Sequence, residues 1–127
     1  MSYVPRKGDF VIVSFDPQAG HEQRGHRPAL VVSKDLFNDR TGLCIACPIT
    51  TTARPYPFHV PIPEGVAISG VVMVDQVMSI DFRARDVKRV GPAPADVLER
   101  VLAILDACIF QHQAVQVCPA QAAPSAV

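Results

Sequence analysis

The segment Gly20-His21-Glu22-Gln23-Arg24-Gly25-His26-Arg27-Pro28 gathers two imidazoles, two guanidiniums and one carboxylate among glycines. A planar guanidinium fork matches the oxygens of a phosphate. Imidazole exchanges protons near neutral pH. The same composition also fits a solvated hairpin loop in which Glu22 pairs with an arginine. Further along, Thr50-Thr51-Thr52 follows Pro48-Ile49. A threonine at a strand end can donate to a phosphate or satisfy the loop's own backbone. The run from Asp75 to Asp81 places Gln76 and Ser79 at a strand end, and Arg83, Arg85, Lys88 and Arg89 follow against one acid, Asp86. That cluster reads as a footprint for a polyanion or as an edge strand protected by charge.

Other chemistries find less support. Cys44 and Cys47 have the spacing of half a zinc site or a redox pair. No second such pair follows, and an offset of three in a strand puts the two thiols on opposite faces. Buried structural cysteines are the reading that fits. The chain has no glycine-rich phosphate loop, no HExxH and no GxSxG. These absences exclude the motif-based metalloprotease, serine-hydrolase and nucleotide-binding readings.

The chain has 127 residues, 49% of them hydrophobic and 19% charged, with 12 basic and 12 acidic side chains. This is one globular domain, able to bury about two-thirds of its unfolded surface. Zero net charge excludes a strongly basic nucleic-acid coat, so phosphate binding must come from a local patch. No stretch reaches the ~20 apolar residues of a membrane span. The first residues lack the apolar core of a signal peptide. A cytoplasmic protein with no membrane association and with reduced cysteines is expected.

The elements that must position these residues are short. Alternation and turn residues predict strands over Phe10–Phe15, Pro28–Ser33, Leu43–Ile49, Tyr56–Ile62 and Val71–Asp75. Two more are predicted over Ser79–Phe82 and Asp86–Val90. Asp16–Arg27 reads as a long loop, and Asp35–Gly42 as a connection. Both faces of the first strand are mostly apolar, which predicts a closed barrel rather than a one-sided sheet. Val97, Leu98, Val101, Leu102, Leu105, Cys108 and Ile109 recur at helical spacing. Pro92–Phe110 therefore reads as one amphipathic helix, with Pro94 in its first turn and Asp96 at its positive end. The expected fold is mainly β, a small SH3-like barrel closed by that helix. Residues 1–110 form the domain, and the uncharged 111–127 a flexible tail.

In order along the chain, a set of residues resembles the MazF/PemK family of toxin ribonucleases. Gly8-Asp9 opens the first strand and Phe15-Asp16-Pro17 closes it. Gly20-x-Glu22-Gln23-x-Gly25-x-Arg27-Pro28-Ala29 follows. Asn38, Thr41-Gly42, Pro48-Ile49-Thr50-Thr51, Tyr56-Pro57-Phe58 and Asp75-Gln76-x-x-Ser79-x-Asp81-x-Arg83 continue the pattern. The resemblance runs from about residue 3 to residue 110.

The resemblance implies an SH3-like (CcdB/PemK-like) barrel and a homodimer that cuts single-stranded RNA without metal or cofactor. The RNA's own 2′-OH attacks the adjacent phosphate, leaving 2′,3′-cyclic phosphate and 5′-OH ends. A cognate MazE-like antitoxin neutralises the toxin. Arg27 and Thr50 match the family's catalytic arginine and threonine, and Glu22 a loop residue that orients Arg27 or accepts the 2′-OH proton. Gln23, Arg54, Gln76, Ser79, Asp81 and Arg83 match positions along the RNA groove, and His26 is an auxiliary imidazole beside Arg27. Met78 stands where relatives commonly carry a basic residue. Two alternatives remain open on sequence alone: a gyrase-binding toxin of the same fold, and an inactive binding barrel. Gyrase-binding relatives end in a tryptophan-bearing helix, and this chain has no tryptophan.

Overall fold

The structure is a computed structural model and describes residues 3–14, 25–52 and 54–110. Seven strands and two helices follow the chain as β1 (Asp9–Ser14), β2 (His26–Val31), α1 (Asp35–Thr41), β3 (Leu43–Thr50), β4 (His59–Pro61), β5 (Val71–Met73), β6 (Met78–Asp81), β7 (Val87–Pro92) and α2 (Ala95–Ile109). A 3₁₀ turn, Val74–Gln76, joins β5 to β6. The mainly β architecture with its C-terminal helix is the one expected. The predicted tail, 111–127, lies outside the described residues, as do Glu22 and Gln23.

The sheet runs β4-β5-β3-β2-β1-β7, with β6 paired to β3 off this path. One edge of β3 is shared, because β6 pairs with Leu43–Ala46 and β5 with Ile49 and Thr50. No ladder among the described residues joins β4 to β7, so the barrel is not closed by hydrogen bonds. The closed-barrel expectation is corrected on this point. The two apolar faces of β1 have a different cause. Phe10 packs on one side with Leu30, Cys47, Ile49, Val60, Val72, Val97 and Val101. Val11 and Val13 pack on the other with Ala29, Val31, Cys44, Ala46, Ile80 and Phe82. Each face of the sheet thus has its own cover.

The helix α2 covers the first of these cores. Val97 and Val101, one turn apart, are its buried residues. Burying a valine contributes about 1.5–3 kcal/mol. Pro94 caps the helix from outside rather than sitting in its first turn, and the Asp96 side chain accepts from Val97 N at 3.0 Å.

The helix α1 replaces the predicted connection over 35–42. Its apolar residues Leu36 and Phe37 are exposed, so it has no core stripe for periodicity to reveal. A polar residue anchors it instead. Asn38 is fully buried; its Nδ2 donates to Pro5 O at 2.7 Å, and its Oδ1 accepts from Ser33 Oγ at 2.5 Å. Gly42, at φ 76°, ends the helix and donates its N–H to Asn38 O.

Cys44 and Cys47 fall in opposite cores, as their spacing required. Burial pushes the Cys44 thiol up to about 11 and the Cys47 thiol up to about 12, with Asp75 adding to the second. Both stay protonated and unreactive at neutral pH. Native protein treated with iodoacetamide is therefore expected to be labelled at exposed Cys108 and not at Cys44 or Cys47. Mass spectrometry of the tryptic peptides checks this. The sign of the pH effect follows. Above about pH 9 an unfolded chain releases these thiol protons while the folded chain holds them to about 11–12. Stability is thus expected to fall as pH rises through that window.

Candidate active site

Register builds the site. The β2–β3 ladder pairs Ala29 with Pro48, Leu30 with Cys47 and Val31 with Ala46. Carried two residues on, the same register sets Arg27 across from Thr50. Val13 pairs with Arg27 on the other side, Val71 with Thr50, and Pro61 with Val71. Residues opposite one another in a ladder share a face. Val13, Arg27, Thr50, Val71 and Pro61 therefore form one row across the sheet. The row below it, Ile49, Val72 and Val60, points the other way into the core under α2.

The Thr50 hydroxyl is oriented. Its Oγ1 accepts a hydrogen bond from Thr52 N at 3.2 Å. A hydroxyl has one proton and two lone pairs. With a backbone N–H on one lone pair, the hydroxyl keeps its proton and one lone pair for another partner. Thr50 is also braced from behind by Gly70, whose φ is +123°. A Cβ at Gly70 would lie 2.2 Å from Thr50 O.

A hollow of about 440 Å³ opens beside this row, lined by Arg54, Pro55, Tyr56, His59, Pro61 and Val71. Its floor is the part of the row next to Thr50. The Tyr56 ring stands edge-on to Phe58 and to His59, with centroids 5.6 Å and 4.9 Å away. His59 Nε2 lies 3.8 Å from Asp75 Oδ1, and Gln76 Nε2 donates to Asp75 Oδ2 at 3.4 Å. His59 Nδ1 is buried without a hydrogen-bond partner among the described residues. A larger hollow of about 640 Å³ lies between the N-terminal segment and α1, lined by Tyr3, Arg6, Leu36 and Arg89 among others. Of the candidate residues named from sequence it holds only Arg89, from the basic cluster after Asp81.

The structure therefore brings Arg27, Thr50 and Arg54 to one region and ties Gln76 to it through Asp75 and His59. It separates the others. His26 immediately precedes Arg27 in β2 and projects to the opposite face; its Nδ1 is 2.9 Å from Ser14 Oγ. Ser79 pairs with Ile45 and Asp81 with Leu43. At about 3.4 Å per residue these lie roughly 17 Å and 24 Å along β3 from Thr50. Asp81 Oδ1 accepts from the backbone N–H groups of Arg83 and Ala84, at 3.2 Å and 3.0 Å, and so holds the turn after β6. Arg83 donates to Asp39 O at 2.8 Å and braces the end of α1. Glu22 and Gln23 are outside the described residues.

Sequence reasoning missed Gly70 and His59, and named Tyr56 only within a motif. Nothing local in the sequence marked the contact of Gly70 with Thr50. His59 was one residue in a predicted strand. The Tyr56-x-x-His59 spacing was the available signal. Among the described residues no group of three or more His, Cys, Asp or Glu gathers as a metal site. None of the described helices is long and apolar enough to cross a membrane.

The comparisons with known proteins agree with this fold. The description of PemK-like, MazF-like toxins of type II toxin–antitoxin systems matches residues 6–109. The chain belongs to the PemK/MazF toxin family. It is 42% identical over 107 residues to the endoribonuclease toxin MazF of Escherichia coli K12, covering 84% of this chain and 96% of that one. It is 44% identical to the endoribonuclease toxin ChpB of the same strain, covering 81% and 92%. Among solved structures, a MazE–MazF crystal structure from Deinococcus radiodurans superposes with a TM-score of 0.81 at 46% identity, covering 87% of this chain and 100% of that one. MazF alone from that organism gives 0.74 at 47% identity, covering 85% and 98%.

Proposed function

We propose that this PemK/MazF family member is a toxin endoribonuclease that cuts single-stranded RNA by 2′-OH attack and needs no metal. The observation that carries the reading is the β2–β3 register, which, carried on from Ala29–Pro48, sets Arg27 across from Thr50. Attack by a 2′-OH builds negative charge on the phosphorane oxygens, and positioned donors stabilise it. The Arg27 fork spans two such oxygens, and the Thr50 hydroxyl donates to one. Arginine stays protonated, so its part is electrostatic rather than proton transfer. Glu22 orients Arg27 or accepts the 2′-OH proton. Arg54 holds a flanking phosphate. Asp81, Arg83 and His26 act in the scaffold around this centre.

Relatives at 42–44% identity are named endoribonuclease toxins, which supports the activity. The MazE–MazF structure supports a MazE-like antitoxin as the partner that neutralises this chain. The working form is a homodimer in the cytoplasm. The facing Arg27–Thr50 pair favours this reading over an inactive barrel.

End-mapping on a long single-stranded RNA tests it. In EDTA the protein is expected to give discrete cuts with 5′-OH ends and 2′,3′-cyclic phosphates. Loss of cutting in EDTA, restored by a divalent ion, would remove the metal-independent mechanism. No cuts from folded protein under any condition would remove the ribonuclease itself.

A further inference from the structure

Of the hollow beside Thr50 only Arg54 has a part in the chemistry above, yet the hollow's floor continues the catalytic row. Val71 is one strand from Thr50 and Pro61 two strands, so the hollow lies about 5–10 Å from the threonine. Its volume of about 440 Å³ is in the range of small-ligand sites. The lining is mostly apolar, with one cation, Arg54, at its rim. Tyr56 is 44% exposed, yet its ring is set edge-on against Phe58 and His59 at interplanar angles of 63° and 75°. His59 is in turn positioned beside Asp75. An exposed aromatic face held in a fixed orientation, next to a cation and a phosphate-binding row, has the features of a base-stacking platform.

We infer that this hollow is a nucleobase subsite, in which Tyr56 stacks on the base adjoining the scissile phosphate while Arg54 takes that nucleotide's phosphate. The inference rests on the ribonuclease reading. Every base has a π-face, so stacking adds affinity and register without choosing the base. Tyr56 is thus a positioning residue for substrate, and the choice of cleavage sequence lies elsewhere.

The test uses the full chain and a short RNA carrying one mapped cut site. A series of the same RNA has an abasic residue at each position around the cut. Tyr56→Ala is expected to raise KM about tenfold with little change in kcat, and Tyr56→Phe to stay within about twofold of wild type. One abasic position should raise the wild-type KM by the same factor and add nothing further in Tyr56→Ala. That coupling is the signature of a ring–base contact, and a fold defect would not produce it. Tyr56→Leu keeps the apolar bulk, so it serves if the alanine variant fails to fold, with the same coupling expected. Cutting by wild type with penalties that multiply at every abasic position would overturn the subsite and leave the ribonuclease standing. So would unchanged RNA kinetics with lost binding of an antitoxin peptide, which would give the hollow to the protein partner. No cutting by folded wild type would overturn the ribonuclease reading and the subsite with it.

Discussion

Arg27→Ala is expected to lower kcat for RNA cleavage by about 10²–10³-fold, while circular dichroism and the urea midpoint stay near wild type. The magnitude is that of removing one donor from a charge-stabilising site, about 2.7–4 kcal/mol of transition-state binding. The exposed Arg27 side chain belongs to neither core, so truncation leaves both intact. KM should move less than kcat, because phosphorane charge exceeds that of the ground-state phosphodiester. Arg27→Lys separates charge from shape. An ammonium keeps the charge but cannot span two oxygens in one plane. A lysine variant as active as wild type would reduce the arginine's role to plain electrostatics. An alanine variant that cuts at the wild-type rate, and is folded, would take Arg27 out of the mechanism.

The strands beside Arg27 and Thr50 were open to sequence reading for a physical reason. Pro28 and Pro48 mark the two strands, and alternation of Leu30, Cys47 and Ile49 against Ala29, Val31 and Ala46 fixes which residues share a face. Register then follows, since a one-residue slip would invert every buried side chain. The helix α2 was legible because Val97 and Val101 bury a stripe. The helix α1 was not, because the side chain that holds it is Asn38, whose partners Pro5 and Ser33 come from other segments. A single buried polar residue has no period.

The same distinction sorts the candidate site. Arg27 and Thr50 could be named because they match the family's motif and their residue types suit a phosphate; Arg27, read as the end of a loop, lies in β2. Ser79, Asp81 and Arg83 share a sequence stretch with Gln76, yet the 3₁₀ turn at Val74–Gln76 and the antiparallel run of β6 carry them away along β3. Proximity in sequence says little once a strand reverses. Asp81 and Arg83 instead carry structural contacts: a turn capped by a carboxylate, and a guanidinium closed over Gly42, whose Cβ would lie 2.8 Å from Arg83 Nη1.

Gly70→Ala is expected to damage both stability and catalysis, and comparison with Gly65→Ala isolates the cause. Both glycines have positive φ, +123° and +89°. A side chain at either costs about 1–3 kcal/mol of backbone strain. At Gly65 a Cβ meets nothing within 4 Å. At Gly70 it meets Thr50 O at 2.2 Å and Thr50 C at 2.9 Å, and both are backbone atoms that no rotamer can move aside. The neighbouring pairing of Val71 with Thr50, and the hydrogen bond from Ile62 N to Gly70 O at 3.0 Å, hold the two segments together. The clash must therefore break the ladder or push Thr50 away from Arg27. Strain and overpacking together predict a loss of about 2–5 kcal/mol for Gly70→Ala, against about 1–3 for Gly65→Ala. Urea unfolding measures both. The sharper readout is kcat at temperatures where each variant is fully folded. Gly65→Ala should cut RNA at the wild-type rate. Gly70→Ala should lose at least tenfold, because the Thr50 hydroxyl no longer meets the phosphate that Arg27 holds. Equal kcat in the two variants would mean that Thr50's backbone position does not set the rate, and the donor role assigned to its hydroxyl would have to be given up.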